Sequence, residues 1–74
     1  MYYYRRIKDT REDRNISQTV VGKILKTSQQ QYSKYERGEQ EFPAHHLITL
    51  ADFYGVSVDY LLGRTDECKP YPKV

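Results

Sequence analysis

Ile16-Ser17-Gln18-Thr19-Val20-Val21-Gly22-Lys23-Ile24-Leu25-Lys26-Thr27-Ser28-Gln29-Gln30-Gln31-Tyr32-Ser33-Lys34-Tyr35-Glu36-Arg37-Gly38 is the stretch on which the reading of this chain turns. Val21 and Leu25 fall four apart, on one face of a helix, and Ser17 stands where a side-chain oxygen accepts from an orphan backbone amide. A helix of about two turns therefore starts near Gln18. Ser28 followed by Gln31 has capping-box spacing, Tyr32 and Tyr35 give a second helix an i, i+3 apolar face, and Gly38 offers a left-handed stop. This assignment turns Gln29, Gln30, Ser33 and Lys34 away from the core. Gly22 suits a close crossing of the two helices, where a small residue offsets glycine's helix penalty of roughly 1 kcal/mol.

Outward from this stretch, Tyr3, Ile7, Thr10 and Arg14 recur at three- and four-residue steps, which predicts a first helix over about 4–15. After Gly38 a loop leads to Pro43, whose missing amide hydrogen suits a first helical turn. A helix over 43–54 buries Leu47, Leu50, Ala51 and Tyr54 and stops at Gly55. Ser57 caps a short helix over 58–62 that ends at Gly63. The expected architecture is all-α: a domain over 1–63 and a polar tail over 64–74 containing Pro70 and Pro72. Val20 and Ile24 form an i, i+4 apolar pair beside the Val21 face. They either widen the core under the tyrosine-rich N-terminus, the reading preferred here, or form an exposed patch for a partner.

A chain of 74 residues buries only about 60% of the surface its unfolded form exposes, which leaves no room for a large enzyme pocket. The net charge is +2, but residues 1–38 carry nine basic and four acidic side chains, and residues 39–74 carry three and six. Positive charge gathers on the half that holds residues 16–38, as attraction to phosphates requires. Cys68 is the one cysteine, so no internal disulfide forms, which suits a reducing cytosol. Arg5 and Arg6 precede no apolar run, and no segment approaches membrane-spanning length, so a cytoplasmic protein is expected.

In order and spacing these pieces resemble the helix-turn-helix of the phage Cro and CI repressors and their relatives, the XRE family. The resemblance rests on Ile7 to Arg11 in the first helix, Ile16-Ser17-Gln18 opening the second and Ser33-Lys34-Tyr35-Glu36-Arg37-Gly38 closing the third. Leu50-Ala51-Asp52-Phe53-Tyr54-Gly55-Val56-Ser57 serves the fourth and its exit, and Asp59-Tyr60-Leu61-Leu62-Gly63 the fifth. It implies a compact five-helix fold of the Cro/CI repressor type with helices 2 and 3 as the motif. It also implies that Gln29, Gln30 and Lys34 match base-reading positions, and that Gln31 and Ser33 lie against bases or phosphates. Gln18 and Ser28 match positions that hold phosphates, with Arg11 and Arg37 as further backbone contacts. Four departures stand out. Thr10 replaces a common leucine, a gap that Tyr3 or Tyr4 is expected to cover. Lys26 occupies a turn position where relatives carry glycine or asparagine at positive φ. Val20 and Ile24 stand where relatives are polar, and Glu39 and Glu41 where they are often basic.

The chemistry of the row agrees, because glutamine donates to and accepts from one adenine edge and lysine donates to guanine O6 and N7. The expected function is sequence-specific binding of double-stranded DNA in the major groove by a transcriptional regulator, foremost a repressor. A two-fold dimer on an inverted repeat is expected, with half-sites about one helical turn apart and Tyr60 and Leu62 at the dimer surface. With no second domain read in these residues, control falls to concentration or to a separate regulatory protein. The alternative is a protein-interaction adaptor or antitoxin-like module that grips a partner through Val20, Ile24 and the tyrosines. No enzyme is expected: there is no Gly-rich phosphate loop and no nucleophile placed with a histidine. His45 and His46 fall about 100° apart on a helix and do not chelate one ion, so neither a metal nor a cofactor is expected.

Overall fold

Three serines start three of the five helices. In the computed structural model, which describes residues 4–67 and 69, the helices are α1 (Arg5–Asp13), α2 (Gln18–Ile24), α3 (Gln29–Glu36), α4 (Ala44–Tyr54) and α5 (Val58–Leu61). Ser17, Ser28 and Ser57 are the N-caps of α2, α3 and α5, accepting from the backbone amides of Val20 (3.2 Å), Gln31 (3.0 Å) and Tyr60 (3.0 Å). The reciprocal half of the capping box at Ser28 is not formed; the Gln31 side chain is turned to Gln40, whose Oε1 accepts from its amide. Pro43, expected inside the first turn of α4, is its N-cap.

The helices stop by one device. At or just after each C-cap a residue takes positive φ: Asn15 (55°), Lys26 (58°), Gly38 (78°), Gly55 (70°) and Gly63 (75°). The next amide then reaches back to a carbonyl in the last turn, as Ile16 does to Arg11, Thr27 to Gly22 and Glu39 to Lys34. Lys26 thus adopts the left-handed turn expected there, at a cost of roughly 1–2 kcal/mol for a residue with a Cβ. That turn brings α3 hard against α2. A Cβ on Gly22 would stand 3.2 Å from the Thr27 carbonyl oxygen and 3.4 Å from the Gln29 nitrogen. Both are backbone atoms, so any larger residue here would have to push the α2–α3 turn outward by a few tenths of an ångström.

Each helix contributes one fully buried side chain to the core: Ile7, Val21, Tyr32, Leu50 and Leu61. Phe42, in the loop before α4, gathers the aromatic residues. Tyr4 meets it edge-on at 4.8 Å, Tyr35 stacks at 5.1 Å and Tyr32 lies at 6.1 Å. The Phe42 amide also donates to the Tyr4 hydroxyl at 3.1 Å, which pins this loop to the start of α1. Thr10 is buried without an unmet donor, since its hydroxyl bonds the Arg6 carbonyl at 2.7 Å. Tyr2, Tyr3, Cys68, Pro70 and Pro72 lie outside the described residues.

Two packing expectations need correction. Val20 is 46% exposed and Ile24 half-buried outside the core cluster, so this pair does not widen the core. The seven-residue α2 buries only Val21 and Gly22, so the side of the helix that carries Val20 lies off the contact face. Leu47, expected to be buried, packs against the core from its edge. Beyond α5, the Arg6 guanidinium sits 4.5 Å over the Tyr60 ring and donates to the Thr65 carbonyl (3.5 Å) and Asp66 (3.3 Å). Residues 65 and 66 therefore lie along α1.

Candidate nucleic-acid interface

The outer face of α3 follows from what its inner face buries. Tyr32 and Tyr35 turn into the core, and Gln30 and Lys34, four apart, are left exposed on one side, with Gln29 half-buried next to them. Ser33 departs from expectation: it is buried, and its hydroxyl accepts from Arg37 Nη1 at 3.0 Å. Gln31 is half-buried and engaged with Gln40. Ser28 is exposed at the start of α3. Its oxygen accepts from the Gln31 amide while the hydroxyl proton stays available to an outside acceptor.

A line of polar bonds runs from the interior to this face. Gln29 Nε2 donates to Gln18 Oε1 at 2.6 Å, and Gln18 Nε2 donates to Glu36 Oε1 at 3.1 Å. Arg11 closes the line from behind, with Nε and Nη2 each 2.9 Å from a Glu36 oxygen and Nη1 2.8 Å from the Ile16 carbonyl. The pair is nearly sealed from solvent, the side chains being 11% and 3% exposed. Burial alone would raise the Glu36 pKa, but the bonds from Arg11 and Gln18 and the charge of Arg11 outweigh it and hold the carboxyl below its ordinary range. Glu36 is ionised at neutral pH and accepts only, so the Gln18 amide must present its nitrogen to Glu36 and its oxygen to Gln29. Gln29 is thereby oriented, with its own oxygen and one N–H left over.

Arg11 is the main correction among the expected contacts. All three nitrogens of its guanidinium are committed inside the domain, and it acts as a strut between α1, α3 and the chain entering α2. Arg37, also expected on phosphate, is half exposed and bonded to Glu39 at 2.5 Å. Sequence reasoning gave Glu36 no part. The available signal was its spacing four residues after Tyr32, which puts a carboxylate on the apolar face of α3, where it needs a partner.

The helix-turn-helix family model matches residues 7–61. The chain belongs to the XRE-type helix-turn-helix family. Two proteins of Bacillus subtilis (strain 168) are similar to it. One is the uncharacterized HTH-type transcriptional regulator YobD, 33% identical over 72 residues, which are 97% of this chain and 62% of that protein. The other is the HTH-type transcriptional regulator ImmR, 31% identical over 65 residues, 88% of this chain and 51% of that protein. The chain thus spans between half and two thirds of the length of these XRE-type relatives. No solved structure matches it.

Outside the α2–α3 unit, an open cavity of about 310 Å³ is lined by Arg5, Arg6, Asp9, Leu62 and Gly63. Among the described residues no group of three or more His, Cys, Asp or Glu side chains is placed to hold a metal ion, and no helix is long and apolar enough to cross a membrane.

Proposed function

We propose that this helix-turn-helix chain is a cytoplasmic transcriptional regulator that binds double-stranded DNA by sequence, with α3 in the major groove. The observation that carries the proposal is the outer face of α3: Gln30 and Lys34 are free to meet base edges, beside a Gln29 amide that Gln18 and Glu36 hold in one orientation. Each of Gln29 and Gln30 has donors and acceptors for the N6/N7 edge of an adenine, and Lys34 donates to guanine O6 or N7. Gln18 and Ser28 stand at the starts of α2 and α3, where backbone amides and the helix dipoles favour phosphate oxygens. Arg37 adds a cation to that track, and Gln31 and Ser33 support it from behind. Arg11 is reassigned from phosphate contact to internal strut. One such surface reads only a few base pairs, so a two-fold dimer on an inverted repeat is the fitting assembly, with the half-buried Tyr60 and Leu62 at its contact. Occupying a promoter in this way gives repression most simply.

Selection from a random duplex pool, followed by titration of the recovered site, tests the reading. Gln30→Ala and Gln29→Ala are each expected to weaken that site by about 1–3 kcal/mol and to relax preference at one base pair. A pool that yields no enriched sequence, or variants that keep both affinity and preference, defeats the assignment. The 46% exposure of Val20 beside Ile24 favours a second reading, an adaptor or antitoxin-like module that grips a protein through α2. A Val20→Lys variant that loses a copurifying protein and keeps DNA selectivity places that contact apart from the DNA surface.

A further inference from the structure

Arg37 closes α3 with its guanidinium divided between two neighbours: Nε donates to Glu39 at 2.5 Å and Nη1 to Ser33 Oγ at 3.0 Å. The segment that carries Glu39 is fixed beside this last turn. The Glu39 amide bonds the Lys34 carbonyl at 2.9 Å, Gln40 accepts from Gln31, and Phe42 is buried with its amide on Tyr4. The backbone that carries the carboxylate is therefore held beside Arg37. Both partners are about half exposed, so water and salt reach the pair.

We propose that Glu39 is an affinity-limiting counter-charge: it occupies the arginine at the C-cap of α3, a cation that would otherwise neutralise a DNA phosphate. The inference rests on the DNA reading above and names how its affinity is set. A phosphate contact releases counterions and steepens the dependence of binding on salt by about 0.9 per charge neutralised, whatever the base sequence. An arginine already paired inside the protein contributes only part of that. Removing the glutamate charge hands Arg37 to the duplex and raises affinity for every sequence alike, leaving the base preference set by Gln29, Gln30 and Lys34 untouched.

The test is the dissociation constant of the full chain for its selected site and for a random duplex across a series of potassium chloride concentrations. The forms compared are the unaltered chain, Glu39→Gln, Glu41→Gln, Arg37→Gln and the Glu39→Gln/Arg37→Gln pair, each checked for folding by circular dichroism. Glu39→Gln is expected to tighten both duplexes about fivefold at low salt, near the upper limit for an exposed pair, and to steepen the salt dependence by a part of the roughly 0.9 that a full phosphate contact adds. Glu41→Gln removes the same charge from a position of the same loop that makes no ion pair among the described residues, and is expected to give less than half that gain. In the Arg37→Gln background the Glu39 substitution is expected to gain no more than Glu41→Gln does in the unaltered chain. An unchanged Glu39→Gln overturns the inference, as does a gain equal to that of Glu41→Gln or one that persists in full without Arg37. Failure of the unaltered chain to bind any duplex is a different result and overturns the DNA reading together with it.

Discussion

Glu36 and Arg37 are consecutive residues at the end of α3, and each holds an opposite charge at hydrogen-bond distance. The Arg37–Glu39 contact is the shorter, 2.5 Å against 2.9 Å for Arg11–Glu36, but its side chains are 56% and 49% exposed where the other pair's are 11% and 3%. An exposed pair contributes about 0–1 kcal/mol, because water competes for both ends and two long side chains must be held still. A buried pair is another matter: removing one partner strands the other charge without water and destabilises by about 3–5 kcal/mol. Separation in ångströms thus ranks these two contacts in the wrong order. Burial and the number of satisfied donors rank them correctly, and they also divide the proposed roles: the inner pair builds the surface, and the outer pair sets how tightly that surface holds DNA.

The largest expected effect is therefore on folding. Arg11→Ala is expected to lower stability by about 3 kcal/mol or more, read as a fall in the urea midpoint at unchanged slope. In whatever fraction remains folded, the salt dependence of DNA binding is expected to stay as it was. A variant that keeps its stability and binds DNA with a flatter salt dependence would return Arg11 to the phosphate contact inferred from sequence and would break the contrast between the two pairs.

Acid probes the same inner pair from the other partner. The folded pKa of Glu36 lies below its ordinary 4.5, so the folded chain takes up this proton less readily than the unfolded one. The stability it contributes is fully present above about pH 4.5 and is lost as the pH falls through the lower folded value. His46 adds an earlier loss. Burial beside Tyr35, and then the adjacent His45, hold it below its ordinary 6.5, so its neutral form favours the fold and stability declines as pH drops below 6.5. Urea midpoints measured from pH 8 to pH 3 are expected to fall in two limbs. Glu36→Gln is expected to remove the lower limb and His46→Gln the upper, and midpoints that follow the unaltered chain in either variant would count against the assigned cause.

Gln18 lies between the two regimes, since it touches Glu36 inside and Gln29 at the surface. Gln18→Ala is expected to lower stability by about 1 kcal/mol, the usual net contribution of a hydrogen bond, and also to blur preference at the base pair that Gln29 is proposed to read. Loss of stability with sharp preference retained would mean that Gln29 is oriented by something other than this bond.

What the sequence makes legible is local. Ser17, Ser28 and Ser57 cap helices, and Gly38, Gly55 and Gly63 end them, because each of these devices involves residues within a turn or so of one another. Gln30 and Lys34 were legible for the same reason, lying on the helix side opposite Tyr32 and Tyr35. Ser33 was misplaced because it follows Tyr32 by a single step of about 100°, at the margin between faces, where packing decides. Arg11 and Glu36 stand 25 residues apart, and no periodicity links them. Either alone reads as an ordinary solvated charge until the fold brings them together. Phe42 shows the same limit: a loop residue by its neighbours in sequence, it becomes the centre of the aromatic cluster only when Tyr32 and Tyr35 arrive from α3 and Tyr4 from the start of α1.

The outer pair is expected to matter least for folding. Glu39→Gln is expected to change stability by no more than about 0.5 kcal/mol, although it deletes the shorter of the two ion pairs. The loop does not depend on that charge for its position. Its backbone is held by the Glu39 amide on the Lys34 carbonyl, by Gln40 on Gln31 and by the burial of Phe42, all of which survive the substitution. Arg37, once released, keeps its bond to Ser33 and gains water. A urea midpoint that moves by the equivalent of more than about 1 kcal/mol would show the outer pair to be part of the scaffold. The distinction would then rest on something other than solvent, because an exposed carboxylate and guanidinium would have been shown to resist water as well as a sealed pair does.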